Sequence, residues 1–267
     1  MPRIRFPFAC LLFIPFFLMG CSVTRVYDFS MTASEAPEVH GANAEQKPHS
    51  SSWRFSGKVY KSVHENVVIR EGFYSNGKEY EWRYEIGGND FSGKADWFYK
   101  SRHFMIGTGV GYKDGLYHHG TVGVNASHME LGAFLGLFHQ YSDLEYTLEN
   151  CETGWYEDEY DQLSYDPVRA GCNSSSDHHY RFNTSPFMGA FWALYFSKFY
   201  LNYNVSFYTP EPDVEGESLN VPSITSNYLN VGYRITRWLD YSVGAILTAT
   251  DGNLIWGVSS GISFYLN

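Results

Sequence analysis

Apolar and polar residues alternate along most of the chain between Trp53 and Asn267. In 199–208 the odd positions are apolar or aromatic and the even positions are mostly polar: Phe199, Leu201, Tyr203, Val205 and Phe207 against Tyr200, Asn202, Asn204, Ser206 and Tyr208. Successive side chains of a β-strand point to opposite faces, so this period is typical of strands. After the first twenty residues no segment has a convincing helical period. The pattern therefore predicts an all-β fold.

Similar alternation is clearest in 104–112, 128–141, 228–236, 239–249 and 255–266. All candidates together give twelve segments, and the clear strands are about 9 to 12 residues long, which is the length that crosses a bilayer at a tilt. The predicted strands are 66–74, 79–86, 91–100, 103–112, 115–125, 128–140, 143–150, 181–195, 199–209, 226–236, 239–249 and 254–266. The strand at 79–86 has one highly charged face, and Trp53 to Lys61 is a further candidate strand. We predict a closed antiparallel transmembrane β-barrel of twelve strands, with ten strands as the alternative.

The polar rows decide which face points inward, because a lipocalin-like soluble barrel is apolar inside and polar outside. In the clear strands the polar rows consist mainly of Gly, Ser, Thr, Asn and Tyr, and their charged members are Glu130, Arg234 and Asp240. A water-exposed face would carry many Lys and Glu residues. We therefore predict that the apolar rows face lipid and the polar rows line the lumen.

The lengths of the connections point to a membrane orientation. Long links at about 151–185 and 210–225 flank two strands, so both emerge on the same side. The links predicted for the opposite side are short: Lys113-Asp114, Gln140 to Asp143, Ser197-Lys198 and Arg237-Trp238. Long outer loops and tight periplasmic turns are typical of outer-membrane barrels. We predict that both chain ends lie on the periplasmic side.

The leader combines Arg3 and Arg5 with an apolar stretch at 6–18, as in a secretory signal. It ends in Leu18-Met19-Gly20-Cys21, which resembles the lipobox of bacterial lipoproteins, in which the Cys becomes the first mature residue and carries acyl chains. The resemblance implies a signal peptide at 1–20, lipidation of Cys21 and a periplasmic lipid anchor in the outer membrane. An ordinary signal peptide that contains a cysteine is the alternative. Residues 21–52 lack periodicity and are predicted to be a flexible tether.

Residues 53–267 resemble small outer-membrane β-barrel proteins, and the sequence matches no named family. Composition agrees, since 44% hydrophobic and 18% aromatic residues are too many for a disordered chain. The formal net charge of −10, without a basic cluster after the leader, argues against nucleic acid as a partner.

Two of the four cysteines, Cys151 and Cys172, remain once Cys10 leaves with the leader and Cys21 is lipidated. An even remainder in an exported chain predicts a disulfide. Such a bond would stabilise the fold by roughly 3 kcal/mol. Free thiols or a metal pair are the alternatives.

The segment between Cys151 and Cys172 is rich in Asp, Glu, Trp and Tyr, and a second acidic segment holds Glu211, Asp213, Glu215 and Glu217. Such loops could bind divalent cations or an extracellular ligand. We favour solvated loops that contact membrane lipid and lipopolysaccharide, with bridging cations, because charge runs usually form solvated faces.

Histidines stand beside carboxylates or hydroxyls at Asp177-His178-His179, His118-His119 and Ser127-His128. Imidazoles in such places can act as general bases or metal ligands. No spacing singles out a triad, and no phosphate loop, zinc pattern or nucleotide fingerprint appears. We therefore predict no metal or cofactor site, and favour a non-catalytic protein over a barrel hydrolase acting on lipid or peptide.

Glu130, Arg234 and Asp240 project to the same predicted interior, where unpaired charges would be costly. We predict that they form a buried ion-pair network that fills the lumen, with the lining of an open channel as the rival. The chain is thus predicted to be a lipidated outer-membrane barrel with a structural or surface-interaction role. A narrow pore and a lipid-anchored soluble periplasmic barrel are alternatives.

Overall fold

The structure is a computed structural model, and it describes most of the chain. The described residues are 22–41, 46–62, 66–69, 82–86, 91–152, 154–157, 163–166, 172–210, 213–214, 217–218, 223–250 and 253–266. Among them, side chains are described for 30–41, 46–61, 91–146, 175–176, 178, 180, 182–210, 223–250 and 253–266. No helix in this part of the chain is long and apolar enough to cross a membrane.

Most of the described residues lie in β-strands, so the all-β prediction is confirmed. In chain order the strands are β1 (Ser22–Ala33), β2 (Ser50–Ser62), β3 (Asn66–Ile69), β4 (Trp82–Ile86), β5 (Phe91–Lys100), β6 (Phe104–Tyr112), β7 (Gly115–Ala126), β8 (Met129–Glu152), β9 (Gly154–Glu157), β10 (Leu163–Asp166), β11 (Cys172–Phe196), β12 (Phe199–Tyr208), β13 (Asp213–Val214), β14 (Glu217–Ser218), β15 (Ile224–Thr236), β16 (Leu239–Thr250) and β17 (Asn253–Leu266).

Ten of these strands close an antiparallel barrel. Their order is β11-β12-β15-β16-β17-β2-β5-β6-β7-β8, and a further pairing of β8 with β11 closes the ring. In the same sheet order β1, β4 and β3 follow β8. The prediction of a closed all-β barrel is confirmed, and its strand number is the alternative of ten.

The favoured count of twelve is not confirmed, for two physical reasons. The predicted strands 128–140 and 143–150 are one strand, β8, because Gln140 and Ser142 keep the alternation and point inward instead of forming a turn. The predicted strands 66–74 and 79–86 overlap β3 and β4, which lie outside the ring of ten, whereas β2 is part of it.

The outward rows are apolar and the inward rows are polar or aromatic. On β8 the side chain of Leu135 is 60% exposed, whereas Asn204 of β12 is 0% exposed. Outward rows elsewhere carry Val122, Leu116, Val231, Val243 and Trp256. The prediction of apolar rows outside and polar rows inside is thus confirmed, and the pattern is that of a transmembrane barrel.

The strand directions define two ends of the barrel. We call one of them the long-connection end, because β2 and β12 end there and the chain needs 28 residues (63–90) and 15 residues (209–223) to reach β5 and β15. At the same end β6 and β16 end, β7 and β17 begin, and β8 continues past Gln140, its last residue paired with β7. The short-turn end carries 101–103, 127–128, 197–198 and 237–238. The turn Lys113-Asp114 therefore lies at the end opposite to the predicted one. It joins the last residue of β6 to the first residue of β7, and both lie at the long-connection end.

The chain divides into two compact units. One comprises Met1–Ser30, Arg70–Trp82 and Glu145–His179, and within it β9 and β10 form an antiparallel hairpin that pairs Tyr156 with Ser164. The other comprises Met31–Ile69, Arg83–Leu144 and Tyr180–Asn267, and it contains the barrel.

Residues 34–41, which we call the luminal segment, run through the barrel interior without regular secondary structure. Ala36 and Val39 are both fully buried, and Glu35 and Glu38 are nearly so. The predicted flexible tether therefore does not describe this part of 21–52. The segment is ordered because side chains of the wall bind its main chain and its carboxylates.

Candidate functional site

The luminal segment passes from one end of the barrel to the other. At the long-connection end, Tyr208 Oη donates a hydrogen bond of 2.6 Å to the carbonyl of Ser34. Beyond its other end, Gln46 Nε2 donates to the carbonyls of Ser50 and Phe98, at the short-turn end. The segment thus occupies the route that a solute would take through the lumen.

Wall side chains satisfy the main chain of the segment. Ser226 Oγ accepts from Ala36 N at 3.0 Å, and Tyr228 Oη donates to Ala36 O at 2.5 Å. Further along, Asn204 Nδ2 donates to Val39 O at 2.6 Å. Buried main-chain polar groups need such partners. These inward side chains therefore replace the strand pairing that the luminal segment lacks and hold it inside the barrel.

Glu38 is the most heavily bonded residue of the segment. Lys58 Nζ lies 2.8 Å from both of its carboxylate oxygens, and Asn230 Nδ2 donates to Oε1 at 2.7 Å. His40 Nε2 lies 2.9 Å from the same oxygen. Several donors around one buried carboxylate are what its removal from water requires.

Glu35 makes a second ion pair nearer the long-connection end. Its Oε2 lies 2.5 Å from Nζ of Lys113, which also donates to Tyr228 Oη at 2.9 Å. The same ammonium group stands 4.3 Å from the centre of the Tyr60 ring, a cation–π distance. The tight turn at 113–114 thus places a wall cation directly over the segment.

The wall around the segment carries more positive than negative charge. Lys94 Nζ donates to Glu38 O at 3.1 Å, and Arg54 Nη1 donates to Gly41 O at 2.8 Å. Asp96 pairs with Arg54 at 2.6 Å, while Lys58 and Lys113 pair with the carboxylates of the segment. The segment therefore supplies counter-charges to a cationic lumen.

Gly41 passes where a side chain would not fit. A Cβ atom at this position would lie 2.5 Å from Oε2 of Glu130 and 2.9 Å from the ring of Phe191. Both contacts are far below normal van der Waals separation. The absence of a side chain lets the backbone cross this narrow part of the lumen.

A small cavity remains beside Gly41. Its volume is about 20 Å³, and its lining includes His40, Arg54, Tyr200 and Asp240. This volume holds about one water molecule. A larger solute does not fit into this cavity beside Gly41.

The three predicted lumen charges all point inward, and each has a partner of opposite charge. Glu130 accepts from Lys100 Nζ at 2.8 Å and from Tyr195 Oη at 2.9 Å. Arg234 and Asp240 are register partners on β15 and β16, with Nε and Oδ1 3.4 Å apart. The predicted network did not include the luminal segment, which fills the lumen between the walls.

Several residues of the site were missed in the sequence. Ser52, Arg54, Ser56, Lys58 and Tyr60 are all inward positions of β2, and Arg54 is the register partner of Asp96 on β5. The period-two pattern of 53–61 was the available signal. Glu35 and Glu38 gave no signal, because they lie in an aperiodic segment.

The candidate histidines are dispersed over the barrel. His118 and His139 stack on the outer surface with Nδ1 and Nε2 3.4 Å apart, whereas His119 is buried 3.6 Å from Asp96. His128 lies at a short turn, and His178 is exposed on β11. The side chains of Asp177 and His179 lie outside the described part. Within the described residues no group of His, Cys, Asp and Glu could hold a metal ion.

Other predicted sites fall outside the described part of the chain. Cys21 is not described, and Cys151 and Cys172 lie on the paired strands β8 and β11 with undescribed side chains. The same holds for the side chains of the two acidic segments. Lipidation, the disulfide and loop binding therefore stay predictions.

The fold and its lumen define the class of protein, a β-barrel with an apolar outside and a filled polar inside. No family model matches the chain, and no curated protein matches its sequence. Its fold is similar to the outer-membrane protease OmpT from Escherichia coli, with 12% identity, a TM-score of 0.39, and coverage of 84% of this chain and 100% of that one.

A second similarity is to the translocator domain of autotransporter NalP from Neisseria meningitidis, with 7% identity and a TM-score of 0.38. It covers 83% of this chain and 90% of that one. These likenesses are distant, and the assignment of the fold rests on the strand pairing itself.

Proposed function

We propose that this chain is a lipid-anchored outer-membrane β-barrel whose lumen is closed by its own N-terminal residues. Its role in this proposal is structural or in surface interaction, through the residues at the long-connection end. The observation that carries the proposal is the luminal segment, whose Glu35 and Glu38 pair with Lys113 and Lys58 inside the ring.

The outer surface supports a membrane location. Large apolar side chains cover it on every strand of the ring, among them Leu135, Val122, Val231, Val243 and Trp256. A soluble monomer rarely exposes a contiguous apolar patch of more than a few hundred Å². Hydrocarbon is the medium in which such a surface is stable, and a closed barrel leaves no strand edge to satisfy there.

The membrane location can be tested on the outer face of β8. Leu135 lies in the middle of the barrel wall and pairs with Gly120 of β7. In a bilayer Leu135→Arg should destabilise the barrel by about 2 to 4 kcal/mol, because an arginine would face lipid near the midplane. Urea unfolding of protein folded into liposomes measures the effect, with Leu135→Ala as the control. An equal stability of the two variants would contradict the proposal.

The closed lumen can be tested by recordings in planar bilayers. Purified wild-type protein, checked for folding by heat-modifiable migration on gels, should show no steady conductance. Steady conductance of the folded wild type would contradict closure by the luminal segment. Outer-membrane fractionation of the producing cells tests the location independently.

The acidic segments are proposed as the surface that meets partners. They contain Glu157, Asp158, Glu159 and Asp161 in one connection and Glu211 and Asp213 in the other. Carboxylates of this density suit divalent cations that bridge to lipopolysaccharide. Neutralising the first four to Gln and Asn should weaken retention on immobilised lipopolysaccharide in Ca²⁺, and unchanged retention would remove this role.

A narrow pore is the second candidate function. It is favoured by the cationic wall, in which Lys58, Lys94 and Lys113 all contact the luminal segment. If the segment were displaced, these ammonium groups would line an anion-attracting passage. Conductance that appears only when the segment is removed or displaced would support this candidate.

A further inference from the structure

The direction of the luminal segment fixes the end of the barrel from which the preceding residues emerge. Thr32 Oγ1 accepts from Asp143 N at 3.0 Å, in the part of β8 that leaves the barrel at the long-connection end. Tyr208, the last residue of β12, binds Ser34 at the same end. At the short-turn end the chain continues from Gln46 directly into β2. Thr32 and Ser34 thus lie at the long-connection end, and the chain enters the lumen from that end.

The chain has no route back to the other end. The lumen is already occupied by residues 34–41, and the cavity beside them is about 20 Å³. The outside of the ring faces hydrocarbon in the proposed location, where unpaired backbone groups are too costly to cross. Cys21 precedes Met31 by ten residues, and such a length spans at most about 35 Å.

We propose that the chain is threaded through its own barrel, so that Cys21 lies outside the cell and its acyl chains insert into the outer leaflet of the outer membrane. The proposal rests on the proposed membrane location and on lipidation of Cys21. It reverses the expectation of an anchor on the periplasmic side, because that expectation took 21–52 for a free tether. The proposal also places residues 22–30 on the outer side of the membrane.

The test is the accessibility of epitopes in intact cells. One short epitope is inserted after Ser22, a second into the connection between β16 and β17 at the long-connection end, and a third between Ser197 and Lys198 at the short-turn end. Antibody should bind the first two in intact cells and the third only after the outer membrane is permeabilised. Heat-modifiable migration confirms that each variant is folded.

The outcomes separate the threading from the membrane location. If the β16–β17 epitope is bound in intact cells but the Ser22 epitope needs permeabilisation, the threading is wrong and the location stands. If only the Ser197 epitope is bound in intact cells, the barrel is inverted and both proposals fail.

Lipidation is separated by a further variant. Labelled palmitate should enter the wild type and not Cys21→Ser, and the Ser22 epitope should stay accessible in Cys21→Ser, because threading depends on the barrel and not on the lipid. Equal labelling of both proteins would overturn the outer-leaflet anchor at Cys21. Loss of epitope exposure in folded Cys21→Ser would overturn the threading as described.

Discussion

Two sets of ion pairs share the lumen and differ in what they join. Within the wall, Arg54 with Asp96 and Arg234 with Asp240 are register partners on neighbouring strands. Between segment and wall, Glu38 pairs with Lys58 and is bound by Asn230, 192 residues away in the chain. The first set follows from strand pairing, whereas the second exists only when the segment lies inside the ring.

Closure of the ring and closure of the lumen therefore depend on different contacts. The ten strands pair through their main chains, and their register partners balance some of the inward charge. Glu38 and Glu35 of the luminal segment pair with Lys58 and Lys113, two further cations of the wall. Changes to the segment should therefore open the lumen, and changes to the wall pairs should weaken the ring.

The largest effect should follow from replacing residues 34–41 with a Gly-Ser linker of equal length. This removes Glu35, Glu38 and the bound main chain, while all ten strands keep their pairing partners. We expect steady conductance in planar bilayers, with anion selectivity in the reversal potential because Lys58, Lys94 and Lys113 line the lumen. A folded variant that stays closed would show that the segment does not close the barrel.

An intermediate effect should follow from Glu38→Gln. Removing one partner of a buried pair leaves Lys58 uncompensated and costs about 3 kcal/mol. This free energy is lost from the binding of the luminal segment to the wall and not from the pairing of the strands. We therefore expect intermittent channel openings in a folded barrel. The matched control is Glu145→Gln, since Glu145 is exposed. Equal recordings from the two variants would contradict the special role of Glu38.

Asp96→Asn should weaken the ring without opening it. Asp96 accepts from Arg54 Nε and Nη2 at 3.1 and 2.6 Å, and loss of these charged bonds costs about 2 kcal/mol. The urea concentration at the midpoint of unfolding in liposomes should fall, while recordings in planar bilayers should show no conductance. Channel openings at wild-type stability would reverse the assignment of wall and segment roles.

The smallest effect is expected from Arg234→Ala. The Arg234 to Asp240 distance of 3.4 Å is longer than the 2.6 Å between Arg54 and Asp96, so we expect a loss of about 1 kcal/mol and no conductance. The predicted network of Glu130, Arg234 and Asp240 instead required a new open state after this substitution. Urea unfolding and bilayer recordings on the same preparation distinguish the two accounts.

The alternation predicted most of the ring because period two follows directly from strand geometry. It worked where apolar and small polar residues alternate strictly, as in β12 and β16. It failed at Gln140 and Ser142, where polar inward residues resembled a turn. It offered Trp53 to Lys61, which lies in β2, only as a further candidate outside the twelve, because its inward Arg54 and Lys58 need the partners Asp96 and Glu38 to be stable there.

The luminal segment could not be predicted from its own sequence. Residues 34–41 have no period, and Glu35 and Glu38 resemble the charges of a solvated linker. Their burial depends on side chains from β2, β12 and β15 that converge only after the ring has formed. The local sequence of 34–41 therefore does not predict the burial of Glu35 and Glu38.

The pairing of β17 with β2 joins the last strand of the ring to its first. A closed ring can admit the luminal segment only end-on, through one of its two openings. We therefore expect residues 34–41 to be in place before β17 pairs with β2, so that closing the ring encloses them. The connectivity of the chain thus predicts an order of assembly.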